Sequence, residues 1–484
     1  MSDELPEGWV RTKLNATLEP GGLFDGPFGS SLKTSDYTDS GVRVIRLENL
    51  SNLRFITDKE TYISEAKYQS LLKHTVIPED ILVGSFVDGA VRVCLLPNLP
   101  TKAIAKADCF TVRTRPDIAN RRFVAFQLGT VDVRDAFVED IHGATRPRIT
   151  TKQLRDCELS LAPLPEQNRI VEKVEALLEQ VNRAKARLDR VPLILKRFRQ
   201  AVLAAACSGE LTREWRQTHT GERSAQDLVQ DIWGQRERAA HRAVTLEPPA
   251  AEARTDLEGW CSTRIGDVVD CLDNIRRPIN RDERSERTGD IPYFGANGQV
   301  GWIDTHLFDE DLVLVVEDET FIGRERPFSY VVRGKTWVNN HAHVLRPLGG
   351  MSADYLDSCL AFYNFVPLTS GTTGRRKLTK AALLSAPICV APLAEQQEIV
   401  RRKIALFSLA DTIERRVQAA TARANKLPQA ILSKAFSGEL VPTEAELARL
   451  EGRTYETAEE LLKRVTALGS DAPSTRKGRG TRAR

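Results

Sequence analysis

The sequence contains one segment twice at a constant separation, and this duplication limits the folds that the chain can adopt. Residues 162–212 align without a gap on residues 391–441, at an offset of 229 positions, and 18 of the 51 aligned residues are identical. Both copies open on Pro-Leu-x-Glu-Gln and close on Ser-Gly-Glu-Leu. A fixed offset with shared ends indicates an internal repeat, in which each copy forms the same structural element.

Each copy of the repeat is predicted to be a helix. Glu166 and Glu395 place negative charge in a first turn, while Gly209 and Gly438 can take the left-handed conformation that ends a helix. Apolar residues recur at alternating spacings of four and three, which is typical of a coiled-coil seam. The residues predicted at or near this helix pairing are Glu166, Gln167, Ile170, Val174, Leu177, Glu395, Gln396, Ile399, Leu406 and Ile413. Two ordinary amphipathic core helices are the alternative.

Two prolines argue against unbroken helices. Pro192 lies inside the first copy and Pro428 inside the second. A proline in a helix interior removes a hydrogen bond and kinks or breaks the helix. The continuity of both helices is therefore left open.

The duplication extends beyond the helices and divides the chain into two halves. The segment "SAQDLVQDI" (224–232) matches "TAEELLKRV" (457–465), Thr150 matches Thr379, and "EGW" occurs at 7–9 and again at 258–260. The regions in front of the helices differ, but both contain short β-branched runs and turn signals, including Asn297–Gly298, which predicts mixed α and β structure. The predicted parts are a variable domain at 1–161, a helix at 162–212, a helical linker at 213–258, a variable domain at 259–390, a helix at 391–441, and a C-terminal helix with a basic tail at 442–484.

Composition excludes several classes of protein. The eight cysteines are too widely spaced for a Cys-x-x-Cys metal or redox site, which favours free thiols. There is no apolar run of membrane-spanning length, and the N-terminus lacks the profile of a secretory signal, so we expect a cytoplasmic protein. A net charge of +3 allows nucleic-acid binding only through local basic surfaces.

Three phrases, together with the twin helices, resemble a known family. They are "DGPFGSSLKTSDYTDSGVRVIRLENL" (25–50), "IPYFGANGQVGWIDT" (291–305) and "WVNNHAHVLRP" (337–347). In combination they are similar to the specificity subunit of type I restriction-modification enzymes, and the resemblance extends over essentially the whole chain. It implies an α+β fold with internal pseudo-twofold duplication, in which two target-recognition domains are separated by an antiparallel coiled coil of the two repeated helices.

The resemblance also implies partners and a division of labour. Each recognition domain would read half of a split double-stranded DNA target, and the paired helices would dock methyltransferase subunits, two in number. S-adenosylmethionine would bind to the methyltransferase subunits, while ATP and magnesium would serve a separate restriction subunit that is both motor and nuclease. The chain itself would bind no cofactor or metal and carry no catalytic residue.

Both variable regions offer residues suited to DNA. A cluster of glycine, threonine and arginine precedes each repeated helix, as "HGATRPRIT" (142–150) and "SGTTGRRKLT" (370–379). Cations and backbone amides there would grip phosphates, and the alternative is a solvated basic loop. The phosphate candidates are Arg146, Arg148, Arg375, Arg376 and Lys377. Arginine and asparagine also make bidentate contacts with base edges. The base-reading candidates are Arg43, Arg46, Asn49, Asn297, Asn339 and Asn340, with turn chemistry as the alternative for Asn297.

Other motifs give weaker or negative signals. His341 and His343 would share one face of a strand, but with no cysteine or carboxylate at ligand spacing we favour a structural role over a metal site. No methyltransferase, nucleotide-binding or nuclease motif is recognisable. An enzyme with unrecognised motifs and a coiled-coil protein adaptor stay open as alternatives. The final residues, "RKGRGTRAR", read as a basic extension that either binds DNA nonspecifically or only aids solubility.

Overall fold

A computed structural model describes residues 4–87, 89–139, 148–221, 223–239, 248–372 and 375–470. The chain forms two compact units. The first runs up to Leu188 and resumes at Ala420, and the second runs from Asp189 to Ala419. Arg146 and the basic tail fall outside the described residues.

Up to Leu188, the described residues of the first unit form thirteen strands and five α-helices. The strands are β1 (Val10–Lys13), β2 (Leu18–Phe24), β3 (Tyr37–Thr38), β4 (Val42–Ile45), β5 (Leu50–Ser51), β6 (Arg54–Phe55), β7 (Tyr62–Ile63), β8 (Thr75–Val76), β9 (Ile81–Gly84), β10 (Val93–Leu95), β11 (Ala103–Ala105), β12 (Cys109–Thr114) and β13 (Glu158–Leu161). The helices are α1 (Glu65–Gln69), α2 (Arg121–Leu128), α3 (Val131–Glu139), α4 (Thr151–Asp156) and α5 (Leu164–Leu188).

These strands form two main sheets and two small ribbons. One sheet has the order β3-β7-β4-β11-β8, in which β4 and β11 are parallel, and the other is antiparallel with the order β10-β9-β12-β2. In one ribbon, β1 pairs antiparallel with β13, with Val10 opposite Leu161. This ribbon places Trp9 beside the start of the first repeated helix.

The second unit begins with the helix α6. Its helices are α6 (Val191–Cys207), α7 (Arg213–Thr218), α8 (Ala225–Ala239), α9 (Ile265–Val268), α10 (Arg281–Glu286), α11 (Ala353–Leu360) and α12 (Lys380–Ser385). Its strands are β14 (Glu252–Ala253), β15 (Cys261–Arg264), β16 (Val269–Cys271), β17 (Ile291–Gly295), β18 (Gly298–Ile303), β19 (Phe308–Asp309), β20 (Leu312–Val316), β21 (Asp318–Glu319), β22 (Ser329–Val332), β23 (Lys335–Val338), β24 (Ala342–Pro347), β25 (Thr369–Thr372), β26 (Arg375–Leu378) and β27 (Pro387–Val390).

Four sheets organise the second unit. Their orders are β16-β24-β20-β22, β18-β17-β23-β19, β21-β26-β25 and β14-β15-β27. The pair β15 and β27 repeats the register of β1 and β13, because Cys261 lies opposite Val390. The two-residue turn between β17 and β18 is Ala296–Asn297, one position before the predicted Asn297–Gly298, and Gly298 begins β18 with a φ of 111°.

The last three helices are α13 (Leu393–Phe436), α14 (Glu444–Glu451) and α15 (Ala458–Ser470). The predicted helix starts are confirmed, since α5 and α13 begin at Leu164 and Leu393. The stops are confirmed as well, because Gly209 and Gly438 follow α6 and α13 with φ angles of 73° and 80°. A threonine caps the short helix before each repeat: the hydroxyls of Thr150 and Thr379 both accept a backbone N–H at 3.2 Å.

The two prolines have different effects. The first repeat divides between α5 and α6, and Pro192 sits in the first turn of α6, where its missing N–H costs no hydrogen bond. The second repeat is one helix of 44 residues that continues through Pro428. The question that the sequence left open has a different answer in each copy: the first is divided and the second is unbroken.

The helices run antiparallel within each unit. In the first unit, Ile170 and Val174 near the start of α5 share a core with Leu432 and Phe436 at the end of α13. In the second unit, Arg199 of α6 pairs with Asp411 at 2.7 Å and with Glu414 at 2.8 Å, and Arg402 donates to the carbonyl of Leu211 beyond α6. The end of α6 thus lies beside the start of α13.

The predicted seam residues differ in burial. Ile170, Val174 and Ile399 are fully buried in the two cores, whereas Leu177 and Leu406 are half-buried. Ile413 is 37% exposed, which does not fit a position inside the seam. Lys403, the polar interruption of the second copy, is buried and donates from Nζ to the carbonyl of Asp354 at 2.9 Å.

The eight cysteines are free thiols, and five of them are buried, as expected. Burial raises the pKa of the Cys94 and Cys261 thiols to about 12. Over the described ranges, no helix combines the length and apolarity required to span a bilayer.

Candidate nucleic-acid interface and its frame

A glutamate in the first turn of each repeated helix is buried against the tryptophan of an "EGW" segment. In the first unit, Oε1 of Glu166 accepts a hydrogen bond from the indole of Trp9 at 2.9 Å, and Oε2 accepts the backbone N–H of Glu444 at 2.8 Å. Burial raises the pKa of Glu166. The glutamate therefore joins three distant parts of the chain.

Glu395 makes the equivalent contact in the second unit. Its carboxylate accepts hydrogen bonds from the indole of Trp260 at 2.8 Å and the hydroxyl of Thr212 at 2.6 Å. Arg216 pairs with the same carboxylate at 2.7 Å. The repeated motifs "EGW" and "PLxEQ", 135 to 157 residues apart, are thus bonding partners.

The adjacent glutamines fix the backbone that leads into each helix. The side-chain amides of Gln167 and Gln396 donate to the carbonyls of Ala162 and Ala391, both at 2.8 Å. Both glutamines and both glutamates are at most 2% exposed. Their side chains are used inside the units, so their placement favours a structural role over docking a partner.

A third contact that both units share is a backbone hydrogen bond from the start of a later helix to the glycine of the "EGW" segment. The backbone N–H of Ala458, which begins α15, donates to the carbonyl of Gly8 at 2.9 Å, and Ala225, which begins α8, donates to Gly259 at 2.8 Å. We call the Trp–Glu bond, the strand pair and this N–H bond the frame. Each unit has one copy of the frame.

In the second unit, the candidate DNA-binding residues gather around β21. This strand pairs with β26, with Asp318 opposite Lys377 and Glu319 opposite Arg376. The side chain of Lys377 is 59% exposed and its Nζ lies 3.1 Å from a carboxylate oxygen of Glu317. Arg376 instead folds onto its own hairpin, where it donates to the hydroxyl and the carbonyl of Thr369, both at 2.6 Å. Arg375 lies in the same strand.

The turn at Asn297 reaches the same surface. Its amide nitrogen donates to Glu319 at 3.0 Å, and its amide oxygen accepts from Arg324 at 2.8 Å. Arg324 also donates to the carbonyl of Pro327 and packs 5.6 Å from the ring centroid of Phe328. The Asn297 amide is thus already paired on both sides, which favours the structural alternative for this residue.

Asn339 and Asn340 follow β23 at the edge of this surface. The Asn339 side chain accepts the N–H of His341 at 2.9 Å, and the ring of His341 lies 2.8 Å from Asp318. Asn340 is exposed. The sequence candidates of the second variable region are therefore brought together by the fold, although they come from three separate segments.

His343 is buried below this surface in a charged cluster. Its Nδ1 lies 2.6 Å from Asp273, and its Nε2 lies 2.8 Å from the carbonyl of Leu378. Burial is the largest single influence and disfavours the charged imidazolium, but the hydrogen bonds with Asp273, Cys271 and the Leu378 carbonyl and the charge of Asp273 together outweigh it and raise the pKa of His343 to about 9. Two acceptors with a charged ring make both ring nitrogens donors.

The cluster contains residues that sequence spacing does not reveal. Cys271, Asp273 and His343 offer three potential ligand atoms within 4.8 Å of one another, although no cysteine or carboxylate stands at ligand spacing from His343 in the sequence. Both ring nitrogens of His343 face protein oxygens, which favours the structural role for this residue. Arg276 connects the cluster to Glu317, the partner of Lys377, since it pairs with both Asp273 and Glu317.

In the first unit, two base-reading candidates turn out to be internal. The guanidinium of Arg43 is 5% exposed and donates to the carbonyls of Thr57 and Lys59. Asn49 is 1% exposed and its amide nitrogen bonds to the carbonyls of Ile56 and Lys59. Both side chains hold the segment around residues 56–59, so their placement does not support base contact.

Arg46 and Arg148 are the candidates of the first unit that reach the surface. Arg46 is 37% exposed, pairs with Glu48 at 3.0 Å and lies 5.9 Å from the ring of Tyr37. Arg148 is 45% exposed and pairs with Asp108. Sequence reasoning missed the aromatic neighbours of these cations, among them Phe28, although Phe28 and Tyr37 both occur in the phrase at 25–50.

Comparison with known proteins gives consistent matches. Residues 257–420 match a family model described as the type I restriction modification DNA specificity domain. The chain is 29% identical over 433 residues to the type I restriction enzyme EcoBI specificity subunit of Escherichia coli, across 85% of this chain and 83% of the relative. It is 32% identical over 311 residues to the EcoDI specificity subunit of the same organism, across 62% and 66% of the two chains.

Solved structures agree on the fold. A chain solved in work on complex assembly and conformational transition of the type I R-M system matches with a TM-score of 0.59 at 19% identity, across 90% of this chain and 99% of that chain. The HsdS subunit from Thermoanaerobacter tengcongensis matches with a TM-score of 0.53 at 18% identity over the same shares. At these identities the likeness shows the fold alone, and it confirms the predicted α+β class.

Proposed function

The chain belongs to the family of type I restriction-modification specificity subunits, and from that premise we propose that its two units read the two halves of a split DNA target. One observation carries the proposal: two copies of one frame surround unlike polar surfaces. The frame contacts are the same in kind and in register, as in Trp9–Glu166 and Trp260–Glu395. A protein that reads two different half-sites needs a common scaffold with different reading residues.

The exposed cations of each surface supply the contacts to DNA in this proposal. In the second unit Lys377 binds phosphate, because its side chain is 59% exposed and its ammonium, paired with Glu317, lies at the surface. Arg375 and Arg376 belong to the same hairpin, where Arg376 shapes the strand pair. Asn340, exposed beside Asn339, contacts a base edge. In the first unit, the exposed cations that contact DNA are Arg46 and Arg148.

Methyltransferase subunits bind, we propose, to exposed apolar side chains of the repeated helices. Leu409 and Ile413 lie four residues apart on one face of α13 and are 53% and 37% exposed. On α6, Leu193 and Ile194 are 53% and 59% exposed. Apolar side chains that a helix leaves in water mark surfaces suited to protein contact. These residues replace the buried glutamates and glutamines as the docking candidates.

Catalysis in the assembled enzyme belongs to partner subunits under this proposal. The relatives are named specificity subunits of restriction enzymes, so this chain selects DNA and the partners modify or cut it. S-adenosylmethionine then binds to the methyltransferase subunits, and ATP with magnesium binds to the restriction subunit. The chain selects the DNA sequence and positions the partner subunits on it.

The test is to co-express the chain with its methyltransferase partner and map methylated adenines across the host DNA. A split motif with a fixed gap is the expected result. The chain expressed without the partner serves as the control and should give no methylation. Methylation by the purified chain alone, or an unsplit motif, would contradict the proposal.

A further inference from the structure

Arg148 lies between two aromatic rings of the first unit. Its guanidinium carbon is 5.9 Å from the ring centroid of Phe28 and 5.8 Å from that of Phe86. Arginine packs on ring faces because its planar head is weakly hydrated. With 45% of the side chain exposed, the guanidinium is still accessible from outside. Contact with two rings limits the positions that the guanidinium can take.

Asp108 restricts the guanidinium further. Its carboxylate Oδ1 pairs with Nη2 of Arg148 and accepts a hydrogen bond from the hydroxyl of Ser85 at 3.0 Å. The backbone at Asp108 is left-handed, with a φ of 73°. Residues other than glycine adopt this conformation rarely, and such strain concentrates at functional sites. The fold thus holds the carboxylate in place against a local preference.

The loop that carries Phe28 is also held closely. A Cβ atom at Gly26 would lie 2.1 Å from the carbonyl carbon of Lys106, so only glycine fits there. The ring of His74 lies 2.7 Å from the carbonyl of Asp25. Phe28 itself is 53% exposed. A half-exposed aromatic side chain on an anchored loop is therefore available to guide the arginine.

This arrangement suits a base edge better than a phosphate. Lysine binds phosphate as a point charge, so a phosphate contact does not depend on a planar fork, although arginine can also bind phosphate through two parallel hydrogen bonds. Guanine presents O6 and N7 in one plane, and the planar fork of arginine matches both acceptors. Fixing the plane in advance lowers the entropy lost on binding. The restraints on Arg148 improve binding only where the contact depends on the direction of the hydrogen bonds from its guanidinium.

Resting on the proposed function, we infer that Arg148 reads a guanine in the half-site bound by the first unit. It is a specificity-determining residue, positioned by Asp108, Phe28 and Phe86. This assignment differs from the phosphate contact that the sequence predicts for Arg148. It also identifies a chemical requirement: the half-site of the first unit contains a G·C pair.

The test substitutes Arg148→Lys in the chain co-expressed with its methyltransferase partner, followed by mapping of methylated adenines. Lysine retains the charge and loses the planar fork. We expect one G·C position in one half-site to become degenerate, with discrimination there reduced about tenfold or more, and the other half-site unchanged. Arg115→Lys is the matched control, because Arg115 pairs with Asp117 at the surface of the same unit; it should leave the motif unchanged.

Asp108→Asn is the second variant, since it leaves the arginine and removes the carboxylate that orients it. The same G·C position of the methylated motif should become degenerate, to a smaller extent. If Arg148→Lys does not accumulate as folded protein, the result for Asp108→Asn is the one that tests the inference. An unchanged motif in the deciding variant, or degeneracy at an A·T position, overturns the inference. If the wild-type chain gives no split motif, the proposed function fails instead, and the Arg115→Lys control fails with it.

Discussion

The indole nitrogen of Trp9 lies 2.9 Å from Oε1 of Glu166, although 157 residues separate the two in the chain. Trp260 and Glu395 repeat this relationship in the second unit. The two halves of the sequence are therefore related by contacts as well as by motifs. The variable residues lie between these contacts, where they can differ without disturbing the frame.

Trp9→Phe should destabilise the first unit. The substitution removes the indole donor from a buried glutamate and reduces the packing of Trp9 against Phe123, so we expect a loss of about 1 to 3 kcal/mol. Urea unfolding of the purified chain measures the change. Trp302→Phe is the control, because Trp302 is 56% exposed and should change the unfolding free energy by less than about 0.5 kcal/mol.

The charged form of His343 should make stability pH-dependent in the alkaline range. Because the folded pKa of about 9 exceeds the ordinary value of 6.5, the contribution is complete below about pH 6.5 and is lost as the pH rises through about 9. This difference corresponds to about 3 kcal/mol. Melting temperatures of wild type and His343→Gln between pH 6 and pH 10 test it. Parallel curves for the two proteins would contradict the charged assignment.

Lys377→Ala should weaken DNA binding without changing the target. Loss of one phosphate contact reduces the slope of log K against log salt by about 0.9, uniformly across DNA sequences. Titrations of the assembled methyltransferase complex at several salt concentrations provide the slope. Lys463→Ala removes one exposed, paired lysine from α15 and should leave the slope at the wild-type value. If the slope of log K against log salt is the same for Lys377→Ala and Lys463→Ala, Lys377 does not contact phosphate.

Leu409→Ser should reduce retention of the methyltransferase partner during co-purification. The side chain is 53% exposed, so the chain should keep its own melting temperature while the complex weakens. Leu450→Ser is the matched control, since Leu450 is 82% exposed on α14. Full partner retention by Leu409→Ser would place the docking surface elsewhere.

Replacing residues 1–161 with another recognition domain should change one half of the methylated motif and preserve the other. The reason is that the reading residues of the two units come from separate segments, as with Arg148 and Lys377. Mapping of methylated adenines reads out both halves together. Changes in both halves would rule out independent reading.

The elements that sequence reasoning predicted well are those set by local chemistry. Gly209 and Gly438 end their helices because glycine tolerates the left-handed conformation, and Gly298 has a positive φ where β18 begins after the hairpin turn. What could not be predicted depends on contacts between distant segments. Arg43 resembles a surface cation in sequence, yet it is buried because three carbonyl and hydroxyl groups from residues 57–62 accept its protons.

The candidate site shows the same division. Residue types suited to DNA could be recognised in "SGTTGRRKLT" and "HGATRPRIT", but the pairing of Arg376 with Thr369 and of Lys377 with Glu317 could not. The cluster of Cys271, Asp273 and His343 spans about 70 residues and leaves no spacing signal. The periodicity of apolar residues predicts each helix or strand separately, whereas a site is formed by contacts between distant segments.

The strand pairs at the base of the two units have a consequence for how genes of this kind can change. Val10 faces Leu161, and Cys261 faces Val390, in the same register and beside the same tryptophan and glutamate. A crossover between two coding sequences, with one breakpoint in each shared motif, would transplant an entire reading surface and recreate every frame contact. New DNA targets can then arise by recombination in one step, without a destabilised intermediate.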